Sequence, residues 1–180
     1  SLMLKLAEAQ PNSFMLESVT GGEVRGRYSI IGMKPDVIWE CRGTQARINR
    51  AARFDEAWED LPGHPFESLR ALIAESRIEM PEGLPAAAAG LFGYLGYDTI
   101  RLVERLSHGN SDPQGLPDAV MLRPSVVAVL EGGTGEVPVV FRASRDAAQA
   151  ARAALAPAGH RGVDAVCGIQ GACPHHCGAR

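Results

Sequence analysis

Along the first third of the chain, apolar and polar positions alternate in short runs separated by turn residues, the period-two signature of β-structure. "SFMLESV" (13–19) is the first such run, and Gly21-Gly22 marks the turn behind it. "RYSIIGM" and "DVIWEC" read as the next two strands, separated by Lys34-Pro35-Asp36, and "QARINR" as a short fourth strand at an edge. Connections this short favour antiparallel pairing. Ahead of them, Leu2 to Leu6 reads as the end of a short helix closed by the Pro11-Asn12 turn.

Between Pro65 and Met80 the period changes. Phe66, Leu69, Leu72, Ile73 and Ala74 recur at helical spacing, Glu67, Arg70, Glu75 and Arg77 take the other side, and Pro81 and Pro85 stop the helix. "AAAAGLFGYLGYD" (86–98) is apolar and glycine-rich. It predicts a buried strand that another backbone approaches closely, followed by a helix "TIRLVERL" with Asp98 at its N-cap. Residues 107–118 form a polar loop, and "AVMLRPSVVAVLE" and "EVPVVFRA" a hairpin around "GGTG". An alanine-rich helix runs from Ser144 to Leu155 and is ended by Pro157 and Gly159. Roughly seven strands with antiparallel neighbours predict an α+β fold, a mainly antiparallel sheet packed with three or four helices. That domain spans 1–156, and 157–180 is expected to be an unstructured tail.

Composition narrows the class. At 180 residues the chain suffices for one domain with its own core, and 46% hydrophobic with 22% charged residues is ordinary for a globular protein. A net charge of −3 argues against a nucleic-acid binder. No apolar run reaches the ~20 residues needed to span a bilayer, and no signal peptide is visible, so no membrane partner and a cytoplasmic setting are expected. Cys167, Cys173 and Cys177 crowd into the tail with His160, His175 and His176. Their spacing matches no common zinc pattern, and no metal site is assigned. Cys41 reads as a small buried hydrophobe, and Trp39 and Trp58 as packing residues.

The most specific chemistry lies in "MLESVTGGEVRGRYSIIG" (15–32). A carboxylate at Glu17 can pair with an ammonium, Ser18 can donate or accept a hydrogen bond, and Arg27 can meet a carboxylate. Adjacent strands joined by a short turn bring the three within reach of one small zwitterion. Taken alone, the residues favour a hairpin whose end charges are merely solvated.

"NSFMLESVTGGEVRGRYSIIGMKPD" resembles the amino-terminal signature of the anthranilate synthase component I family. "GLFGYLGYDTIRLVERL" and "GLPDAVMLRPSVVAVL" resemble two further stretches of that family, in the same order, so that the likeness runs from about Leu4 to Arg142. The resemblance implies an enzyme that makes anthranilate and pyruvate from chorismate and glutamine or ammonia, the committed step toward tryptophan. It also implies feedback by L-tryptophan near Glu17, Ser18 and Arg27. A chorismate-binding domain and a glutamine amidotransferase subunit are the partners implied for the complete enzyme, and magnesium its metal. Tyr94, Tyr97 and Asp98 are implied contacts with that further domain. No stretch of this chain offers the converging carboxylates that magnesium would need, so no catalytic residue is assigned and the chain alone is expected to be inactive. A stand-alone amino-acid-binding module and part of aminodeoxychorismate synthase component I are the alternatives.

Overall fold

Two long strands, β2 (Arg25–Arg42) and β6 (Ala119–Glu131), run antiparallel side by side in the computed structural model, which describes residues 11–19, 25–78, 89–106, 112–131 and 139–141. Shorter strands attach to their outer edges. Along β2, β1 (Phe14–Val19) pairs with the first half and β3 (Gln45–Asn49) with the second, and β4 (Glu59–Leu61) extends the sheet beyond β3. Along β6, β5 (Phe92–Leu95) pairs with the first part and β7 (Val139–Phe141) with a later one. All seven strands belong to one antiparallel sheet.

The two long strands cross from one half of this sheet to the other at facing prolines, Pro35 and Pro124. Proline cannot donate a backbone hydrogen bond, so it is tolerated only where none is required. That condition holds here. The β1 pairing ends at Gly32 and the β3 pairing begins at Ile38, while β5 pairs up to Leu122 and β7 from Val126. Both prolines therefore fall in the gap between outer strands. Sequence reading divides 25–42 into two strands at Lys34-Pro35-Asp36. The chain instead passes through as one strand, because Lys34 adopts φ 52° and the register then slips between Pro35 and Val37, leaving Asp36 as one extra residue.

Helix α1 (Pro65–Glu75) covers one face of the second half. Val37, Trp39 and Cys41 on β2 and Ala46 and Ile48 on β3 pack with Leu69 and Leu72 in a buried cluster. Trp39 is fully buried and its indole donates to Ser68 Oγ at 2.9 Å. The helix starts as its sequence demands. Proline opens it, and His64 at the N-cap accepts from the Phe66 amide through Nδ1 at 3.2 Å. The opposite His64 nitrogen, Nε2, lies 3.0 Å from the Leu102 carbonyl and donates to it in the neutral tautomer.

The α+β expectation of three or four packed helices is overturned. Among the described residues the structure is mostly antiparallel sheet, with α1 and one six-residue 3-10 helix (Tyr97–Leu102). The reason lies in "TIRLVERL". Gly96, not Asp98, is the N-cap and brings no side-chain cap, while Val103 and Leu106 remain exposed. Short helices persist through packing of an apolar face, and the turns beyond Leu102 have none to bury. "QARINR" is not an edge strand either, since β4 lies outside it. The expected helices at Leu2–Leu6 and Ser144–Leu155, the "GGTG" turn and the 157–180 tail lie outside the described residues.

Candidate effector hairpin

The candidate site is built on the β1–β2 hairpin. Four consecutive one-to-one pairs run from Phe14↔Gly32 to Glu17↔Ser29, and the next pair is Val19↔Arg25. Between them a single β1 residue, Ser18, faces three on β2, 26–28. Ser18 and Arg27 thus occupy opposite sides of one irregularity, with exposed Glu17 immediately beside it. "RGR" supplies the glycine that such an irregularity favours. The backbone brings the three candidate positions to one end of one hairpin. For Ser18 and Arg27 the description stops at the backbone.

Below these positions the hairpin is anchored by aromatic packing. The Phe14 ring lies over Gly32, where an added Cβ would come within 2.2 Å of it. The same ring also packs on Phe92 of β5, with ring centroids 4.7 Å apart. Phe14 therefore ties β1 across the sheet to β5. Sequence reasoning missed this contact, although a glycine inside "RYSIIG" is a signal of close approach.

The three positions assigned to an interdomain contact lie at the opposite end of the sheet. Tyr94 on β5 is half exposed and donates to the Pro117 carbonyl at 2.9 Å. Its phenol pKa is raised by burial, with the Glu40 and Asp118 carboxylates adding to the rise and Arg42 opposing it. Tyr97 is 83% exposed at the start of the 3-10 helix. Asp98 pairs with Arg101 at 2.8 Å inside that helix and caps nothing. The glycines of this segment serve the sheet itself. A Cβ at Gly93 would meet the Val120 carbonyl oxygen at 1.8 Å, and one at Gly96 the Asp118 oxygen at 2.8 Å. The close approach that the glycines predict is to β6.

Known proteins resemble this chain in sequence and fold. The chain is 67% identical over 167 residues to anthranilate synthase component 1 of Cereibacter sphaeroides, a match covering 92% of this chain and 33% of that protein. The chain is homologous to the amino-terminal part of anthranilate synthase component I. The Pseudomonas aeruginosa anthranilate synthase component 1 is 37% identical over 149 residues, covering 79% of this chain and 29% of its own length. The crystal structure of anthranilate synthase component I from Streptococcus pneumoniae shares the fold, with a TM-score of 0.60 and 18% identity over 78% of this chain and 31% of that one. No family model matches the sequence. The chain spans about a third of the length of the curated relatives it matches.

Sequence reasoning also missed two charge networks in this chain. On β2 and β3, buried Glu40 accepts from Arg42 at 2.6 Å and from Arg47 at 3.0 Å, and Arg47 stacks over Trp58 at 4.4 Å. At the bulge, Arg123 grips Asp36 with two bonds of 2.8 and 3.0 Å. Lone charges in strands gave no hint of either partnership. Among the described residues no group of three or more His, Cys, Asp or Glu is arranged to hold a metal ion. The magnesium that the resemblance implies for the complete enzyme finds no fitting ligand set among them. No helix among the described residues is long and apolar enough to cross a membrane.

Proposed function

We propose that this chain is the tryptophan-feedback portion of an anthranilate synthase component I, acting in tryptophan biosynthesis. The complete enzyme converts chorismate, with glutamine or ammonia, to anthranilate and pyruvate. In that enzyme a chorismate-binding domain, magnesium and a glutamine amidotransferase subunit complete the machinery. On this reading Glu17 and Ser18 meet the ammonium and polar atoms of L-tryptophan, and Arg27 its carboxylate. The 67% identity over 92% of the chain carries the proposal. The irregularity at Ser18 and 26–28 supports the position of the effector, because an interrupted ladder turns backbone groups toward a guest.

The far end of the sheet supports a second element of this reading. Tyr94, Leu95, Tyr97 and Val103 are 45%, 50%, 83% and 67% exposed around β5, which ends the sheet. An apolar patch beside an end strand suits docking against the chorismate-binding domain.

The test is a chimera in which this chain replaces the matching third of the Cereibacter sphaeroides protein. L-tryptophan should inhibit its anthranilate synthesis, and Ser18→Ala should raise the inhibition constant by about tenfold, the worth of one charge-assisted hydrogen bond. Equal inhibition of the parent chimera and the Ser18→Ala form would remove the hairpin from the effector site. On this reading the chorismate-binding domain completes the tryptophan pocket. The 180-residue chain alone lacks those contacts yet still meets the entropic cost of association, so it should bind tryptophan weakly or not at all.

A further inference from the structure

The two halves of the sheet share only β2 and β6, and both strands cross between them at the facing prolines Pro35 and Pro124. The crossing is secured by side chains. Arg123 on β6 holds the extra residue Asp36 with both carboxylate oxygens engaged. Its remaining nitrogen reaches Glu75 at 3.3 Å and Ser76 Oγ at 3.4 Å, at the carboxyl end of α1. Arg50, next after β3, contacts the same Glu75 at 2.8 Å. On the other side of the bulge, Ser125 Oγ donates to the carbonyl of Lys34. Arg123 is mostly buried, its side chain 16% exposed.

We propose that the Asp36 bulge, clamped by Arg123, is the joint that couples the β1–β2 hairpin to helix α1. A bulge is a place where a strand can change direction, and a planar guanidinium bound on two sides fixes that direction. Movement of β2 on the hairpin side must pass the Pro35–Pro124 step, where no outer strand among the described residues braces either long strand. The Asp36–Arg123–Glu75 chain links that step to α1, separately from the Phe14–Phe92 contact that ties β1 to β5. Arg123 is a positioning residue. As an extension, which rests on the effector reading above, occupation of the hairpin reaches α1 through this joint.

Hydrogen exchange on the 180-residue chain, followed by mass spectrometry, tests the joint without any ligand. Arg123→Gln should speed exchange about tenfold in peptides covering 30–37 and 72–78, while 39–49 stays within about twofold. Asp36→Asn should reproduce that pattern, and the double variant should add little to either single change. Uniform acceleration throughout would mean that the pair serves global stability only, and no change anywhere that it serves nothing; either result overturns the proposal. If Arg123→Gln does not fold, Arg123→Lys, which cannot bridge two acids as a planar fork, gives the same readout. In the chimera, Arg123→Gln should leave tryptophan binding within about twofold but lower the protection that bound tryptophan gives to 72–78. Protection of 72–78 persisting in Arg123→Gln would overturn the extension. Loss of tryptophan binding by the parent chimera would count against the effector reading alone, since the ligand-free exchange pattern stands apart from it.

Discussion

The half of the sheet beneath α1 and the half carrying the β1–β2 hairpin are made from the same two strands, yet they are finished differently. Under α1, strand and helix side chains close on one another, with Trp39, Ile48 and Leu72 almost wholly buried. On the hairpin half, the β2 and β6 residues Ile31, Val127 and Val129 are equally buried, but β1 leaves Met15 39% and Leu16 51% exposed. One half is a core with a lid of its own. The other has a peripheral strand, and that strand carries Glu17 and Ser18. Segments with few buried contacts open at lower free energy than cores, and binding elements are drawn from them.

The largest predicted effect breaks the stronger half. Trp39→Ala removes a fully buried indole and leaves Ser68 without that donor, which should cost about 3–5 kcal/mol in urea unfolding. Leu16→Ala on the half-exposed hairpin strand should cost less than about 1 kcal/mol. Similar losses from the two would remove the contrast.

Two glycines sharpen the comparison. Gly93 faces backbone, the Val120 oxygen at 1.8 Å from an added Cβ, whereas Gly32 faces the end of the Phe14 side chain at 2.2 Å. Backbone in a paired strand yields less readily than a ring that can turn. Gly93→Ala should therefore cost about 3 kcal/mol and Gly32→Ala about 1–2 kcal/mol. In a Phe14→Leu background the Gly32→Ala penalty should fall by about half, as expected of residues in contact. Full additivity would show that the Phe14 ring does not set the limit at Gly32.

Alkaline pH separates the halves through Cys41, on β2 under α1. Its thiol is pushed from the usual 9.0 to about 11, chiefly by burial, with Asp118 and Glu40 adding to the rise, and it donates to the Gly43 carbonyl at 3.4 Å. A folded-state pKa above the unfolded value means that the folded state holds the proton longer. The contribution is thus complete below pH 9 and is lost as pH rises through about 11. Stability should fall by about 2–3 kcal/mol across that window, and Cys41→Ala should flatten the fall. Tyr94 acts in the same direction. An unchanged slope in Cys41→Ala would shift the cause to other groups.

Much of this was legible in the chain. The alternation around "SFMLESV" and "DVIWEC", the helical spacing of Leu69 and Leu72, and the long 119–131 run predicted β1, β2, α1 and β6 because each pattern is local. Lys34-Pro35-Asp36 misled. It has the composition of a turn, and only the gap between β1 and β3, a property of their registers, allows a strand to run through it. "TIRLVERL" misled for the opposite reason, since its helical spacing was real but Val103 and Leu106 stay exposed. For the candidate site, the sequence placed Glu17, Ser18 and Arg27 on one hairpin. It could not show the one-against-three register at Ser18, which depends on how two strands align over their whole length.

The smallest predicted effect probes the boundary between the halves. Lys34 is exposed and holds φ 52°, a left-handed conformation that costs a residue with a Cβ about 1 kcal/mol. Glycine would relieve that cost while adding entropy to the unfolded chain, so the two effects largely offset. The left-handed geometry is fixed from outside by Ser125, which donates to the Lys34 carbonyl. Relief should therefore slightly outweigh the entropy, and Lys34→Gly should raise the melting temperature by about 1–2 °C. Lys34→Ile, whose branched Cβ tolerates this conformation worst, should lower it by more than that. If glycine instead lowered the melting temperature and isoleucine were neutral, the backbone at Lys34 would be extended, and β2 would cross between the halves without the step on which their separation depends.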